Sequence, residues 1–572
     1  MSYIQEYEKW IESEILTGAE HTELLEIKDD EVEIKSRFYA PLSFGTAGLR
    51  GVMGMGLNRM NIYVVRQVTQ AMAELVLGEN RASEGVAIAY DSRINSELFA
   101  REAARVLAAN GIKTLIFDAL RPTPELSFAI LHYGCAGGIN ITASHNPKEY
   151  NGYKAYWADG AQLPPEHAEK VERAIEGIDI FTGAKLCDFD EAATDGRIQL
   201  LGAETDELFL SHVLAESIDL GPVKRCGDKF SLVYTPFHGA GYKMVPEALK
   251  RAGFKNICCV EEQMVIDGSF PTVASPNPEN PEGFALAIAL AKEKDATVII
   301  GTDPDGDRVG AVVRTGDDEY TVLSGNETGS LLLDYIISAR LRAGSMPQSP
   351  FAVKTIVSSE LPRAICEKNG VEIYDTFTGF KFIAEKINAL GKEGKKCIFS
   401  YEESFGYLFG DFCRDKDAVT ASLLLAEMAA YYFERGMTLA DALQEVYSKY
   451  GFYADKTINV VMPGIDGIEK MAELMRSLRS GGISFPEGMQ PEIVTDYLDG
   501  TKTEIAAGEV RNIELSGSNV LGYEFKDGVR LMVRPSGTEP KIKFYILSGA
   551  PTQAKAEAKR DILAEFCGQF GA

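Results

Sequence analysis

The chain is written as a repeated exchange of two patterns, and that exchange limits the folds open to it. Short runs of β-branched and aromatic residues end in glycine or a charged loop, and a helical pattern comes after. GVAIAYDSR leads into SELFAREAARVLAANG; KTLIFDA and GGINITASHNP come next. FSLVYTPFHGAG, KNICCVEE, ATVIIGTDPDGD, FAVKTIVSS, VEIYDTFTG and KCIFSYEESFG continue the series, with PEALKRAG, TGSLLLDYIISARLRAG and DAVTASLLLAEMAAYYFERG as helices between them. Strands alternating with helices predict α/β domains with mixed or parallel sheets. In such sheets chemistry gathers where a strand hands over to a helix. Each of the chain's marked polar loops is expected at such a handover.

A chain of 572 residues is too long for one core. After about Gly451 the style changes: TINVVMPG, IEKMAELMRSL, NIELSGSNVLGYEF, GVRLMVRPSG and KIKFYILSG predict a smaller α+β domain. Boundaries near 215, 323 and 455 give three α/β segments, 1–214, 215–322 and 323–454, and an α+β segment, 455–572. At the start, Ile4, Tyr7, Ile11 and Ile15 fall on one face of an amphipathic helix, without the basic end and apolar run of a signal peptide. No apolar run is long enough to span a bilayer. The nine cysteines form no CxxC pair, and Cys258 and Cys259 should face opposite sides of a strand. Reduced thiols and a cytoplasmic enzyme are expected. A formal net charge of −26 argues against nucleic acid or an anionic membrane as partner. An anionic substrate would have to be drawn by a local cluster of cations, N–H groups or a metal.

Four loops carry chemistry. In GGINITASHNPKEYNGYK (137–154), an apolar run delivers Ser144, His145 and Asn146 into a turn pinned by proline and glycine. An ordinary surface turn would use the same dipeptides. In GTDPDGDR (301–308), Asp303, Asp305 and Asp307 alternate, and three carboxylates so close call for a hard divalent cation with oxygen ligands. An EF-hand would put glycine sixth and glutamate twelfth; Arg308 and Arg314 stand there. An aspartyl-phosphate hydrolase and a solvated acidic turn remain as rivals. VRPSGTEPKIKFY (533–545) lies between two strands and supplies Arg534, Ser536, Gly537, Thr538, Lys541 and Lys543, a nest suited to phosphate or, more plainly, the solvated face of a strand. SYEESFGY (400–407) and DTFTGFK (375–381) are weaker, although carboxylates are common partners of sugar hydroxyls.

Taken in order, TASHNP, TDPDGDR, EESFG and RPSGTEPK resemble the α-D-phosphohexomutase family. FGTAGLRG (44–51) and TGFK make the chain most similar to the family's bacterial phosphoglucomutase branch, from about residue 40 to the end. The resemblance implies four domains around a central cleft, with phosphoserine, metal, sugar and phosphate loops in chain order. Ser144 would carry a phosphoryl group beside Mg²⁺ held by Ser144, Asp303, Asp305 and Asp307. His145 and Lys154 are the candidate general bases, and Arg308 neutralises phosphate. The substrate phosphate would sit on Arg534, Ser536, Gly537, Thr538 and Lys541. Glu402 and Ser404 would read sugar hydroxyls, with Thr378, Gly379 and Lys381 nearby, and Arg50 and Arg93 would support the phosphate loop.

The activity so implied is interconversion of glucose 1-phosphate and glucose 6-phosphate through glucose 1,6-bisphosphate. Mannose or pentose phosphates are alternatives, because Tyr401 and Phe380 depart from the glycine and tryptophan of many relatives. A sugar-phosphate sensor and a phosphatase built on Asp303 are the other readings. The sequence leaves the oligomeric state open.

Overall fold

The computed structural model describes residues 2–45, 48–462, 467–536 and 541–571, without the side chain of Asp527. The chain forms two compact units, Met1–Leu323 with Ser404–Thr438, and Ser324–Glu403 with Leu439–Ala572.

The first unit holds two sheets. One runs in the order Gly48–Val52, Tyr150–Trp157, Gly137–Ile141, Val86–Tyr90, Thr114–Phe117, Ile198–Leu201. Its last four strands are mutually parallel, and the first two are antiparallel additions. Val86–Tyr90 is buried along its whole length, as a strand covered on both faces must be. The other sheet runs Tyr320–Val322, Val309–Arg314, Val298–Thr302, Ser231–Thr235, Asn256–Cys259. Mixed sheets flanked by helices agree with the α/β reading.

Several sequence expectations give way to the structure. The first helix, Tyr3–Ile11, buries Tyr7 and Trp10 against Phe38 and leaves Ile4 exposed; Ile15 lies beyond its end and is also exposed. Aromatic packing, not the isoleucine stripe, chose its face. The segment containing Ala418–Glu434 packs with the first unit, against Gly221–Cys226, Gly241–Ala252 and Val298–Thr302. Glu427 anchors it: buried, it accepts from the Ser217 hydroxyl and from the N–H groups of Ile218 (3.1 Å) and Asp219 (2.9 Å).

The marked loops are mostly not strand-to-helix handovers. Thr142–Glu149 joins two antiparallel strands, and so do Asp303–Arg308 and the loop after Pro535. The residues after each loop (YNGYKAYW, VGAVVR, KIKFY) are themselves β-prone and return along the strand that delivered it. Only Phe377–Gly379 leads from a strand, Glu372–Thr376, into a helix, Phe380–Lys392.

In the second unit, Glu372–Thr376, Pro350–Thr355 and Lys396–Glu402 lie parallel, with Pro350–Thr355 in the middle. An antiparallel sheet comes next, in the order Phe452–Tyr453, Lys541–Ala550, Val529–Pro535, Leu521–Phe525, Pro491–Asp496, Thr501–Glu504, Glu509–Asn512. In NIELSGSNVLGYEF only Leu521–Phe525 forms a strand of its own; Asn512 ends the strand Glu509–Asn512, and residues 513–520 between them are irregular. Ile356, Val357 and Phe377 share an apolar cluster with Tyr497, Val520, Met532, Tyr545 and Leu547, which fastens the antiparallel sheet to the parallel one. None of the nine cysteines is in a disulfide. Among the described residues no helix is long and apolar enough to cross a membrane.

Candidate active site

Two hairpin loops of the first unit face each other with their reactive groups in contact. The buried run Ile139–Ile141 ends at Thr142, whose Oγ1 accepts from the Ser144 N–H at 2.8 Å. Ser144 has φ +52°, a left-handed backbone that costs a non-glycine residue of order 1–3 kcal/mol. Arg93 helps hold that shape. Its guanidinium donates to the Ser144 carbonyl and to those of Asn146 (2.6 Å), Pro147 (2.9 Å) and Tyr150 (3.0 Å), and lies 3.2 Å from Asp91. Ser144 is only 3% exposed, so this is no ordinary surface turn.

Opposite it, Gly306 (φ +63°) bends the aspartate loop; a Cβ there would meet Pro122 at 2.8 Å. Asp303 Oδ1 accepts the N–H groups of Asp307 (3.1 Å) and Arg308 (2.9 Å), while Asp303 Oδ2 accepts the Ser144 hydroxyl at 2.8 Å. Lys154 donates to Asp305 Oδ2 (2.6 Å) and Asp307 Oδ2 (3.0 Å). Lys416 Nζ lies 3.2 Å from Asp307 Oδ2 and 2.9 Å from Asp415 Oδ1.

That arrangement sets the electrostatics. Burial and the neighbouring carboxylates of Asp305 and Asp307 push Asp303 well above the carboxylate range. Burial would do the same to Asp307, but Lys154, Lys416 and Arg308 outweigh it and hold that carboxyl far below the range. Lys154 keeps its proton, because the attraction of Asp305 and Asp307 exceeds the cost of burying it. His145, half-buried with Nδ1 3.1 Å from Ser144 Oγ, is pushed well below its usual pKa by burial and then by Arg308, Arg50 and Arg93.

A cation fits this loop. Oxygens of Asp303, Asp305 and Asp307 lie within 4.8 Å of one another, and Oδ1 of both Asp305 and Asp307 is buried without a hydrogen-bond partner among the described residues. Hard oxygen donors left unpaired at such a cost suit a divalent ion. Arg50 reaches the serine loop through Asn146 Oδ1 (3.2 Å), and Arg308 lies 3.3 Å from Glu279. Lys416 escaped the sequence reading because RDKDA looks like a solvated charge run. Its one signal was a lysine two residues before an almost wholly apolar helix.

The second unit brings together Glu402 and Gly379: the carboxylate accepts the Gly379 N–H at 2.6 Å. Thr378 Oγ1 is buried without a partner among the described residues, and Lys381 sits in the first turn of the next helix, its pKa lowered by burial. Arg534 and Lys543 are directly opposite on neighbouring strands and share a face with Lys541. The Ser536 N–H donates to the Lys541 carbonyl at 2.8 Å, which closes the hairpin; Gly537 and Thr538 lie outside the described residues. Ser404, half-buried, opens the segment that returns to the first unit. Tyr401 and Phe380, expected to bear on sugar choice, are core residues at 1% and 2% exposure; the Tyr401 ring fills the space over Gly329 and its hydroxyl donates to Asn326 at 3.3 Å.

Comparison with known proteins agrees with this arrangement. Residues 41–180, 207–316 and 324–450 match the phosphoglucomutase/phosphomannomutase α/β/α domains I, II and III, and 486–565 match that family's C-terminal domain. The chain is 36% identical over 518 residues to the phosphoglucomutase of Staphylococcus saprophyticus, covering 90% of this chain and 92% of the relative. To the phosphoglucomutase of Staphylococcus aureus strain MRSA252 it is 34% identical over 534 residues, 92% of each chain. In fold it is similar to the open form of Paramecium parafusin, a phosphoglucomutase, with TM-score 0.68 at 17% identity, covering 94% of this chain and 95% of that one. Four domain matches in order, with a third of residues shared nearly end to end, make this chain a member of the phosphoglucomutase/phosphomannomutase family.

Proposed function

We propose that the protein is a phosphoglucomutase, an isomerase that moves a phosphoryl group between the 1- and 6-hydroxyls of glucose by way of phosphorylated Ser144 and glucose 1,6-bisphosphate. The observation that carries this reading is the Ser144 hydroxyl, fixed on a left-handed backbone and 2.8 Å from Asp303 in the aspartate loop. In the forward half, the bond between phosphorus and Ser144 Oγ breaks as one forms to the free sugar hydroxyl. The bisphosphate turns end for end, and its other phosphoryl group returns to Ser144. A serine hydroxyl serves as carrier because donors set in advance share the charge of the moving group.

Asp303, Asp305 and Asp307 would hold Mg²⁺, which when bound supplies Lewis-acid stabilisation of phosphoryl oxygens. Lys154, Arg308 and Lys416 contribute positive charge. Of the two candidate bases, His145, whose Nδ1 lies 3.1 Å from Ser144 Oγ, would take the proton of the accepting sugar hydroxyl and hand it to Ser144 Oγ as the phosphoryl group leaves. Arg534, Ser536, Gly537, Thr538 and Lys541 hold the sugar's own phosphate. Glu402 and Ser404 accept its hydroxyls, with Thr378, Gly379 and Lys381 alongside. Reading only hydroxyls 3 and 4, which exchange places on turning, lets one set of groups serve both orientations.

A coupled assay with glucose, mannose, ribose and deoxyribose 1-phosphates, run beside intact-protein mass spectrometry, tests this. Glucose 1-phosphate should be preferred and the parent should carry a phosphate adduct. Ser144→Ala should lose the adduct and at least about a thousandfold in kcat. An active, adduct-free Ser144→Ala would remove the phosphoserine from the account.

A further inference from the structure

Asp305 is steered by a residue outside the aspartate loop. Thr123, fully buried at the start of the helix Thr123–Tyr133, donates its N–H to the Asp305 carbonyl at 2.8 Å and its hydroxyl to Asp305 Oδ2 at 3.1 Å. A hydroxyl has one proton to give, and its direction is set from the other side: Asn140 Nδ2 donates to Thr123 Oγ1 at 2.8 Å, so the threonine proton is left for Asp305. Asn140 is fully buried on the strand that delivers the Ser144 loop, and there it pairs with Lys154 across the hairpin. With Lys154 at 2.6 Å, Thr123 therefore occupies Asp305 Oδ2. Oδ1 is left buried and unpaired, on the carboxylate whose loop partners lie within 4.8 Å.

We infer that Thr123, oriented by Asn140, is a positioning residue for the cation site: it fixes the rotation of the Asp305 carboxylate so that Oδ1 is the oxygen offered to the ion. The inference rests on the reading that the aspartate loop holds a divalent cation. The relay also ties the strand bearing the serine loop to the aspartate loop, from Asn140 through Thr123 to Asp305. Partners that orient a metal ligand are worth about 10- to 100-fold in affinity.

The test is direct Mn²⁺ binding to the full-length protein without substrate, by calorimetry or by the spin-resonance signal of the free ion. Thr123→Val keeps the shape and removes the hydroxyl; Thr123→Ser keeps the hydroxyl and removes the methyl. The expected result is a Kd raised about 10- to 100-fold in Thr123→Val and changed less than about twofold in Thr123→Ser. Parental affinity in Thr123→Val would overturn the inference. Equal losses in both variants would overturn it too, by assigning the effect to packing. Should Thr123→Val fail to fold, Thr123→Ser against Thr123→Ala decides in the same way. Failure of the parent itself to bind Mn²⁺ would instead strike the cation reading, and the inference with it.

Discussion

Two clusters of buried charge look alike at first and differ in what they leave over. In the second unit Glu360 and Asp375 are surrounded by Lys354, Arg363 and Arg530: Lys354 lies 3.0 Å from Glu360 and 3.1 Å from Asp375, and Arg530 lies 2.5 Å from Glu360. Two acids against three bases make a clamp that neutralises its carboxylates. In the first unit three aspartates converge and still present unpaired, buried oxygens after Lys154 and Lys416 have been counted. Burial and strong fields are common to both, so perturbed charge alone does not mark a reactive site. Asp375 Oδ1 also lacks a hydrogen bond, but Lys354 lies 3.1 Å from it, whereas no ion pair reaches Asp305 Oδ1 among the described residues. A buried carboxylate oxygen left without hydrogen bond or cation is what marks the aspartate loop.

The comparison breaks most sharply if the aspartate loop tolerates the loss of a ligand. Asp305→Asn should weaken Mg²⁺ binding and slow turnover at least tenfold. In the ion-free protein the relieved repulsion and the lost Lys154 partner oppose each other, so its melting temperature without metal should change little. Titration calorimetry, the coupled assay and a thermal melt with EDTA read the three quantities. EDTA-treated parent that kept full activity would favour the solvated acidic turn.

Arg534 sharpens the contrast within one strand, since it shares a face with clamp residue Arg530. Arg534→Ala should raise KM for glucose 1-phosphate about tenfold, the scale of one charge-assisted hydrogen bond, and lower kcat as well. Melting temperature and Mn²⁺ affinity should stay at parental values. A stability loss with unchanged KM would move Arg534 into the structural cluster.

The smallest effect on ion binding and turnover belongs to the clamp. Burial would raise the Glu360 carboxyl, but Lys354, Arg530 and Arg363 outweigh it and hold it far below the usual range. A carboxyl depressed by folding stabilises the protein above its unfolded pKa of about 4.3, and that contribution is lost as pH falls toward the folded value. Glu360→Gln should therefore cost about 2–3 kcal/mol at neutral pH, below the range for a fully enclosed pair because Glu360 is 19% exposed. The cost should shrink steadily in melts taken below about pH 4. Mn²⁺ affinity should not change. A pH-independent cost would show that the side chain acts by packing.

Much of this was legible in the chain, and the failures share a cause. The strand runs, the acidic triad and the serine loop stand in the sequence as local patterns, and local patterns fold locally. Whether a loop hands over to a helix or to a returning strand is decided by a distant partner. YNGYKAYW and VGAVVR return as antiparallel strands, so the two reactive loops are hairpin turns where helix handovers were expected. Lys416 and Thr123 were invisible for the same reason, since their meaning lies in contacts with Asp307 and Asp305, more than a hundred positions away from each. The packing of the Tyr401 ring over a glycine one helix away is hidden in the same way.

The central claim is that Ser144 must carry phosphate for a cycle to begin. Protein freed of phosphate, as confirmed by intact mass, is given glucose 1-phosphate and Mg²⁺ with and without catalytic glucose 1,6-bisphosphate, and the progress curves are compared. The account predicts silence or a long lag without the bisphosphate and immediate turnover with it. Equal initial rates in the two curves would contradict it.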